Sequence, residues 1–164
     1  MAASLSRIAT SKGIKYFLVS FADLFGTMRA KLVPASAIDA MVKNGAGFAG
    51  FATWLDMTQA DSDTFAIPDP STLIQLPWKP QVAWLAALLY MDGAAVAHAP
   101  RHVLRTQIER AARAGYQMKT GVECEYFLIN ADGSDISDRD DTQVKPCYDQ
   151  QSLMRRYDII VEIC

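Results

Sequence analysis

The segment Gly121-Val122-Glu123-Cys124-Glu125-Tyr126-Phe127-Leu128 carries the densest chemistry in the chain. Its β-branched and aromatic residues favour an extended strand, and a strand sends alternate side chains to opposite faces. Glu123, Glu125 and Phe127 then share one face, opposite Val122, Cys124, Tyr126 and Leu128. At about 3.3 Å per residue the two glutamate Cα atoms lie roughly 6.6 Å apart. That spacing lets each carboxylate hold one of two neighbouring divalent cations through oxygen. The same spacing also describes a strand with one solvated face, because a site needs further ligands converging from elsewhere. Spacing leaves both readings open.

The chain has 164 residues, 51% hydrophobic and 21% charged, with a net charge of -2. Such a composition belongs to a globular chain of one domain, or of one small domain plus part of another. Neither the net charge nor any local Lys/Arg cluster favours nucleic acid. The longest apolar run, Val82 to Met91, is about half a membrane span, and the first residues lack a signal-peptide core. A cytosolic protein without membrane contact is predicted. Cys124, Cys147 and Cys164 are odd in number and widely spaced, which suggests neither a disulfide framework nor a cysteine zinc site.

Ile14 to Phe21 has strand length, and Thr27 to Val33 alternates Met28, Ala30 and Leu32 against Thr27, Arg29 and Lys31. A hairpin is predicted, with Gly26 supplying a positive φ and Asp23 accepting from turn amides. Phe25 beside it is an aromatic at a loop tip, suited to burial against a partner. Ser36 and Asp39 read as the cap of a short helix carrying Ile38, Met41 and Val42 and ending at Gly45. Gly45, Gly47 and Gly50 permit a close backbone crossing, and Asp56, Asp61 and Asp63 read as solvated. Ile67 to Trp78, with its prolines, is extended and turn-rich, with Asp69 bracing a turn. In Val82 to Met91, alanine and leucine favour helix, whereas the length and the following Asp92-Gly93 favour a buried strand that returns through Ala94 to Ala97.

Pro100, then Leu104, Ile108, Ala111 and Ala112 at helical spacing, then Gly115, predict a helix from about Arg101 to Ala114. His98 and His102 flank Pro100 without an obvious third ligand, so zinc is not expected. Tyr116 to Asn130 reads as one long strand that turns at Asp132-Gly133 into an acidic, solvated loop out of calcium-loop register. From Asp149, the positions Leu153, Met154, Tyr157, Ile160, Val161 and Cys164 make one amphipathic helix. Its stripe still runs at Cys164 with no stop signal, so an intact protein is expected to continue.

Four blocks carry a resemblance. They are Phe21-Ala22-Asp23-Leu24-Phe25-Gly26, Pro68-Asp69-Pro70-Ser71-Thr72 with Leu76-Pro77-Trp78, Ala99-Pro100-Arg101, and the segment Gly121 to Leu128. In kind and order they resemble the glutamine synthetase family. Gly45 to Phe51 and Lys145 to Asp149 look most like its type III bacterial branch, which includes ligases joining glutamate to ammonia or methylamine. The resemblance implies an α+β chain: an N-terminal β-grasp domain over 1–98, with Val82 to Met91 as a strand, then the truncated start of a catalytic domain over 99–164. It implies ATP-dependent formation of an amide at the γ-carboxylate of glutamate, with Mg²⁺ or Mn²⁺. It implies Glu123 and Glu125 as metal ligands, Glu125 for the ion nearer glutamate and Glu123 for the ion nearer the ATP phosphates. Asp23 would serve the amine site of the next subunit in a homo-oligomeric ring. The remaining glutamates, histidine and arginines of that site have no counterpart here, so this chain alone is expected to be inactive. The competing reading is a non-catalytic binding or regulatory module on the same fold.

Overall fold

The computed structural model describes residues 4–123, 125–136, 138–145 and 147–163. They form two compact units, Met1–Met118 and Lys119–Cys164, each considered by itself.

The first unit is α+β. Its helices are α1 (Leu5–Lys12), α2 (Ile38–Asn44) and α3 (Pro100–Arg113), and its strands are β1 (Tyr16–Ala22), β2 (Met28–Pro34), β3 (Ala46–Phe48), β4 (Thr64–Pro68), β5 (Ile74–Gln75), β6 (Val82–Met91) and β7 (Ala94–Ala95). They build one mixed sheet in the order β2-β1-β6-β4-β3, with the short strands β5 and β7 also pairing with β6. β1 and β6 run parallel, Phe17 opposite Ala83 and Val19 opposite Leu85, while the other pairs are antiparallel. The apolar run Val82 to Met91 is therefore a strand, as the resemblance requires. Its alanines and leucines accept extended backbone because a central strand is buried on both faces.

Alternation divides the sheet. Phe17, Val19 and Phe21 of β1, Ala83, Leu85, Ala87 and Leu89 of β6, and Ala66 of β4 are all buried. With Leu5 and Ala9 of α1, Ile38 of α2 and Leu55 they form the hydrophobic core. The opposite face carries Ser20, Trp84 and Ala86, and α3 lies against it through contacts with β1 and β6.

The β1–β2 hairpin forms as the alternation predicts, with Gly26 at φ 81°. The β6–β7 hairpin turns at Asp92 (φ 50°) and Gly93 (φ 78°), the paired positive φ values a two-residue turn demands. α3 ends at Ala114 with Gly115 at φ 83°, and Tyr116 N–H closes the terminus on Ala111 O.

Other expectations fail for local reasons. α1 was not legible in the polar N-terminal segment, yet Leu5, Ile8 and Ala9 place a narrow apolar stripe on the core. The capping box at Ser36 does not form. A 3-10 turn occupies Ala35–Ala37, α2 starts without a side-chain cap, and Asp39 instead accepts from Ser6 N–H (3.3 Å) and Ser6 Oγ (2.5 Å) of α1. Residues 46–48 pair as β3 with β4 over 64–68, where the sequence reads as a glycine-rich crossing and, from Ile67 on, as an extended, turn-rich stretch.

In the second unit, the long strand expected over Tyr116 to Asn130 is not formed. The described residues from Gln117 to Leu128 lie outside strands, and a single bridge joins Ile129 to Ile136 across the Asp132-Gly133 turn. A strand exists through its neighbours, and among the described residues none pairs with 121–123 or 125–128. The expected C-terminal helix is broken into α4 (Gln150–Arg155) and α5 (Tyr157–Ile163) at Arg156. Arg155 and Arg156 both bind Asp138 there, at 3.2 Å and 3.8 Å. The expected stripe residue Cys164 lies outside the described residues, as does Cys124 in the glutamate segment.

Gly45 is needed for its shape. Its φ is 81°, and a Cβ there would lie 2.8 Å from Phe65 Cβ. Gly45→Ala is expected to destabilise the first unit by about 2 kcal/mol or more, through a disfavoured φ together with overpacking against β4. Urea unfolding followed by circular dichroism checks this, and an unchanged midpoint would refute it.

Candidate functional site

Asp23 ends β1 and opens the hairpin loop. Its carboxylate is buried (0% exposed) and both oxygens are engaged. Oδ1 accepts from the N–H groups of Phe25 and Thr27, each at 2.9 Å. Oδ2 accepts from Arg29 Nε at 2.9 Å, and Arg29 Nη2 lies 2.9 Å from the same oxygen. Burial pushes this carboxyl towards the protonated form. The Arg29 hydrogen bond, the two amide hydrogen bonds and the Arg29 charge outweigh it, and the net direction is downward. Asp23 thus takes the bracing role that turn chemistry assigns, as an anion.

What the loop presents is aromatic. Phe25 is 77% exposed and meets Trp54, 62% exposed, edge to face at 5.5 Å. Leu24 N–H donates to Trp54 O at 3.2 Å. Trp54 and Asp56 both have positive φ, 48° and 55°, so the second loop is bent at two residues that disfavour it. His98 Nε2 holds that bend by donating to Leu55 O at 2.8 Å. His102 Nε2 donates to Leu89 O at 2.8 Å, so one nitrogen of each histidine serves a backbone carbonyl.

Asp69, the acidic residue of the Pro-Asp-x-Ser-Thr block, caps its own turn by accepting from Ser71 N–H (3.0 Å) and Ser71 Oγ (2.6 Å). Its other oxygen accepts from Arg101 Nη2 at 2.9 Å, tying the end of β4 to the first turn of α3. Two blocks far apart in the sequence are thereby joined by one ion pair.

Glu123 and Glu125 lie in the second unit. Both are exposed, and neither side chain has a hydrogen bond or ion pair with any described residue. Asp23, Asp39, Asp61, Asp69, Asp132 and Asp149 each have a hydroxyl, amide or guanidinium partner that lowers the carboxyl from its ordinary value. The two glutamates retain their full acceptor capacity. Among the described residues no cluster of three or more His, Cys, Asp or Glu could enclose a metal ion. Two carboxylates do suit Mg²⁺, which keeps several waters and is commonly held by one or two carboxylates together with substrate phosphates. The donor set fits as part of a site.

The lowered pKa of Asp23 has a thermodynamic consequence. A carboxyl held below its ordinary 3.8 in the folded chain binds fewer protons there than when unfolded, so its stabilisation is complete above about pH 3.8. It is lost as pH falls through the lower folded value. Asp23→Asn is expected to be less stable than the parent chain at pH 7, the gap narrowing below pH 4. Urea unfolding at a series of pH values tests this, and a gap that widens on acidification would overturn it.

The family model described as "Glutamine synthetase, catalytic domain" matches residues 97–159. The chain is 61% identical to the glutamine synthetase of Rhizobium meliloti (strain 1021), over 100% of its own length and 38% of that relative's. It is 39% identical to the glutamate–methylamine ligase of Methyloversatilis universalis over 87% of this chain and 33% of that one. A solved structure of GmaS in complex with ADP matches at a TM-score of 0.94 and 60% identity, covering 99% of this chain and 38% of that one. The chain thus spans 33–38% of the length of these relatives. Among the described residues, no helix is long and apolar enough to cross a membrane.

Proposed function

The chain belongs to the glutamine synthetase family, and on that premise we propose that it supplies part of a ligase joining glutamate to ammonia or methylamine with ATP. The reading is carried by two solvent-facing, unpaired carboxylates, Glu123 and Glu125, in the motif that the family uses for metal. The first unit up to residue 98 is proposed as the β-grasp domain, and residues 99–164 as the beginning of the catalytic domain. A homo-oligomeric ring would bring one subunit's first unit to its neighbour's catalytic domain, and the cytosol is the proposed compartment.

In the proposed reaction a γ-carboxylate oxygen of glutamate attacks the terminal phosphorus of ATP and ADP leaves. The amine nitrogen then attacks the activated carbonyl carbon, loses a proton, and phosphate departs. Mg²⁺ or Mn²⁺, when bound, offsets the phosphate charge and keeps the reacting groups in line. Glu125 would orient the ion beside glutamate, and Glu123 the ion beside the phosphates. Both would act as oxygen ligands, a role their lack of partners among the described residues leaves open. For Asp23 the proposal is narrower than direct contact with the amine. Both its oxygens are spent on the loop and Arg29, so it is assigned as a positioning residue that fixes Leu24 and Phe25 towards the neighbouring subunit's site.

Glu123→Gln and Glu125→Gln keep shape and remove charge. In a protein of the relatives' full length, each is expected to raise the Mg²⁺ or Mn²⁺ concentration needed for activity at least tenfold. Each should also cut glutamate-dependent phosphate release by roughly two orders of magnitude or more. Metal titrations indistinguishable from the parent in both variants would refute the assignment.

Sharing of a site across subunits is separately testable. Full-length Asp23→Ala and Glu125→Gln variants should each be nearly inactive. Refolded together in equal amounts, random head-to-tail rings join an intact Asp23 to an intact Glu125 at roughly a quarter of interfaces. Amide formation should return to that level in the co-refolded sample, and not when the variants are refolded apart and mixed. Mixed rings without recovered activity would place both residues in one subunit's site or remove Asp23 from it.

A further inference from the structure

Beneath the first turn of α3, on the sheet face away from the core, lies a cavity of about 270 Å³ lined by Ser20, Phe21, Met28, Trp84, Arg101 and Leu104, among others. It belongs wholly to the first unit and holds neither Glu123 nor Glu125. Ser20 is 2% exposed, and its hydroxyl has no hydrogen-bond partner among the described residues. The Ser20 oxygen is not among the solvent-excluded unpartnered atoms of the described residues, so it opens onto the cavity and takes its hydrogen-bond partner from whatever occupies that space.

Two other donors meet there. α3 has 14 residues, its N-cap Ala99 brings no side-chain acceptor, and Pro100 follows, so the positive end of the helix is left uncapped. Arg101 lines the same space. Its Nη2 is on Asp69, but a guanidinium carries five N–H donors in a fixed plane, and the bond to Asp69 leaves others to serve a ligand. A hydroxyl, a guanidinium and a helix N-terminus together select an anion. The remaining walls, Phe21, Met28, Trp84 and Leu104, are apolar and would leave the outer oxygens of a phosphate without partners. The volume falls just below the range of about 300–1,000 Å³ typical of pockets for drug-sized ligands, which limits the guest to a few carbons.

We propose that this cavity binds a short-chain monocarboxylate, its carboxylate on Ser20 Oγ and Arg101 and its alkyl body against Trp84 and Leu104. The site is independent of the ligase reading and uses none of its metal-binding residues. A water molecule held by Ser20 and Arg101 is the competing occupant.

The test titrates the 164-residue chain with sodium butyrate, with inorganic phosphate and 1-butanol as controls, by calorimetry and by amide shifts of Ser20, Phe21 and Arg101 in two-dimensional NMR. Butyrate is expected to bind saturably with a Kd on the order of 1 mM, and each control at least tenfold more weakly. Arg101→Gln should weaken butyrate tenfold or more, but it also breaks the Asp69 pair. Ser20→Ala removes only the hydroxyl, and should weaken butyrate about tenfold while leaving the thermal midpoint unchanged. Three outcomes overturn the proposal: no saturable shift at these amides, which leaves water only; equal affinity for 1-butanol or phosphate; and butyrate affinity unaltered in a folded Ser20→Ala chain.

Discussion

The parallel pairing of β1 with β6 is the constraint on which the first unit depends. A hairpin can pair its own arms, but a parallel pair needs a crossover, and this one spans residues 23–81. Everything between has to leave the sheet and return on the correct side. α2 does so over the core face, β4 arrives antiparallel on the far side of β6, and β3 adds to its edge. The core follows from register. Phe17 and Val19 face the same way as Ala83 and Leu85 because those residues sit opposite each other, and a slip of one residue would turn all four to the other face. Truncating a side chain as buried as Leu85 costs on the order of 2–5 kcal/mol, a large share of what holds a domain of this size.

Around that pair, polar groups decide where the connecting segments stop. Asp23 and Asp69 work alike: one oxygen accepts from the turn that follows, and the other holds an arginine arriving from elsewhere. The Asp69–Arg101 pair is partly exposed and contributes little stability as a charge pair. Its value is geometric, because it sets the point at which α3 leaves the sheet.

Features with local causes were legible in the sequence. The alternation of residues 27–33, Gly26, the Asp92-Gly93 turn and the Pro100-to-Gly115 span of α3 all act within a few residues, and all appear where expected. Features needing a distant partner were not. β3 and β4 are short and flanked by glycine or proline, so their identity as strands rests on the neighbour each finds. Asp39 satisfies a cap by propensity and Ser6 by geometry, and geometry prevails. The same distinction separates the site residues. Turn chemistry foresaw the bracing of Asp23, since that depends on Phe25 and Thr27 next to it. Arg29, which claims its second oxygen, gave no signal beyond its place two residues past the loop. The glutamate segment has strand composition, but among the described residues no strand lies beside it, so its intrinsic preference finds no hydrogen-bonding ladder there.

Synthesis order gives the central pairing a kinetic meaning. During translation β1 and β2 emerge early and can form their hairpin within microseconds, while the strand that completes the middle of the sheet has yet to be made. At about 5–20 residues per second, the ribosome delivers β6 several seconds after β1. Through that interval the inner edge of β1 presents unpaired N–H and C=O groups beside Phe17, Val19 and Phe21, which suits it to pairing with another nascent chain. The nascent protein therefore spends its most aggregation-prone seconds before residue 82 reaches the tunnel exit, and chaperone demand should fall once β6 has docked.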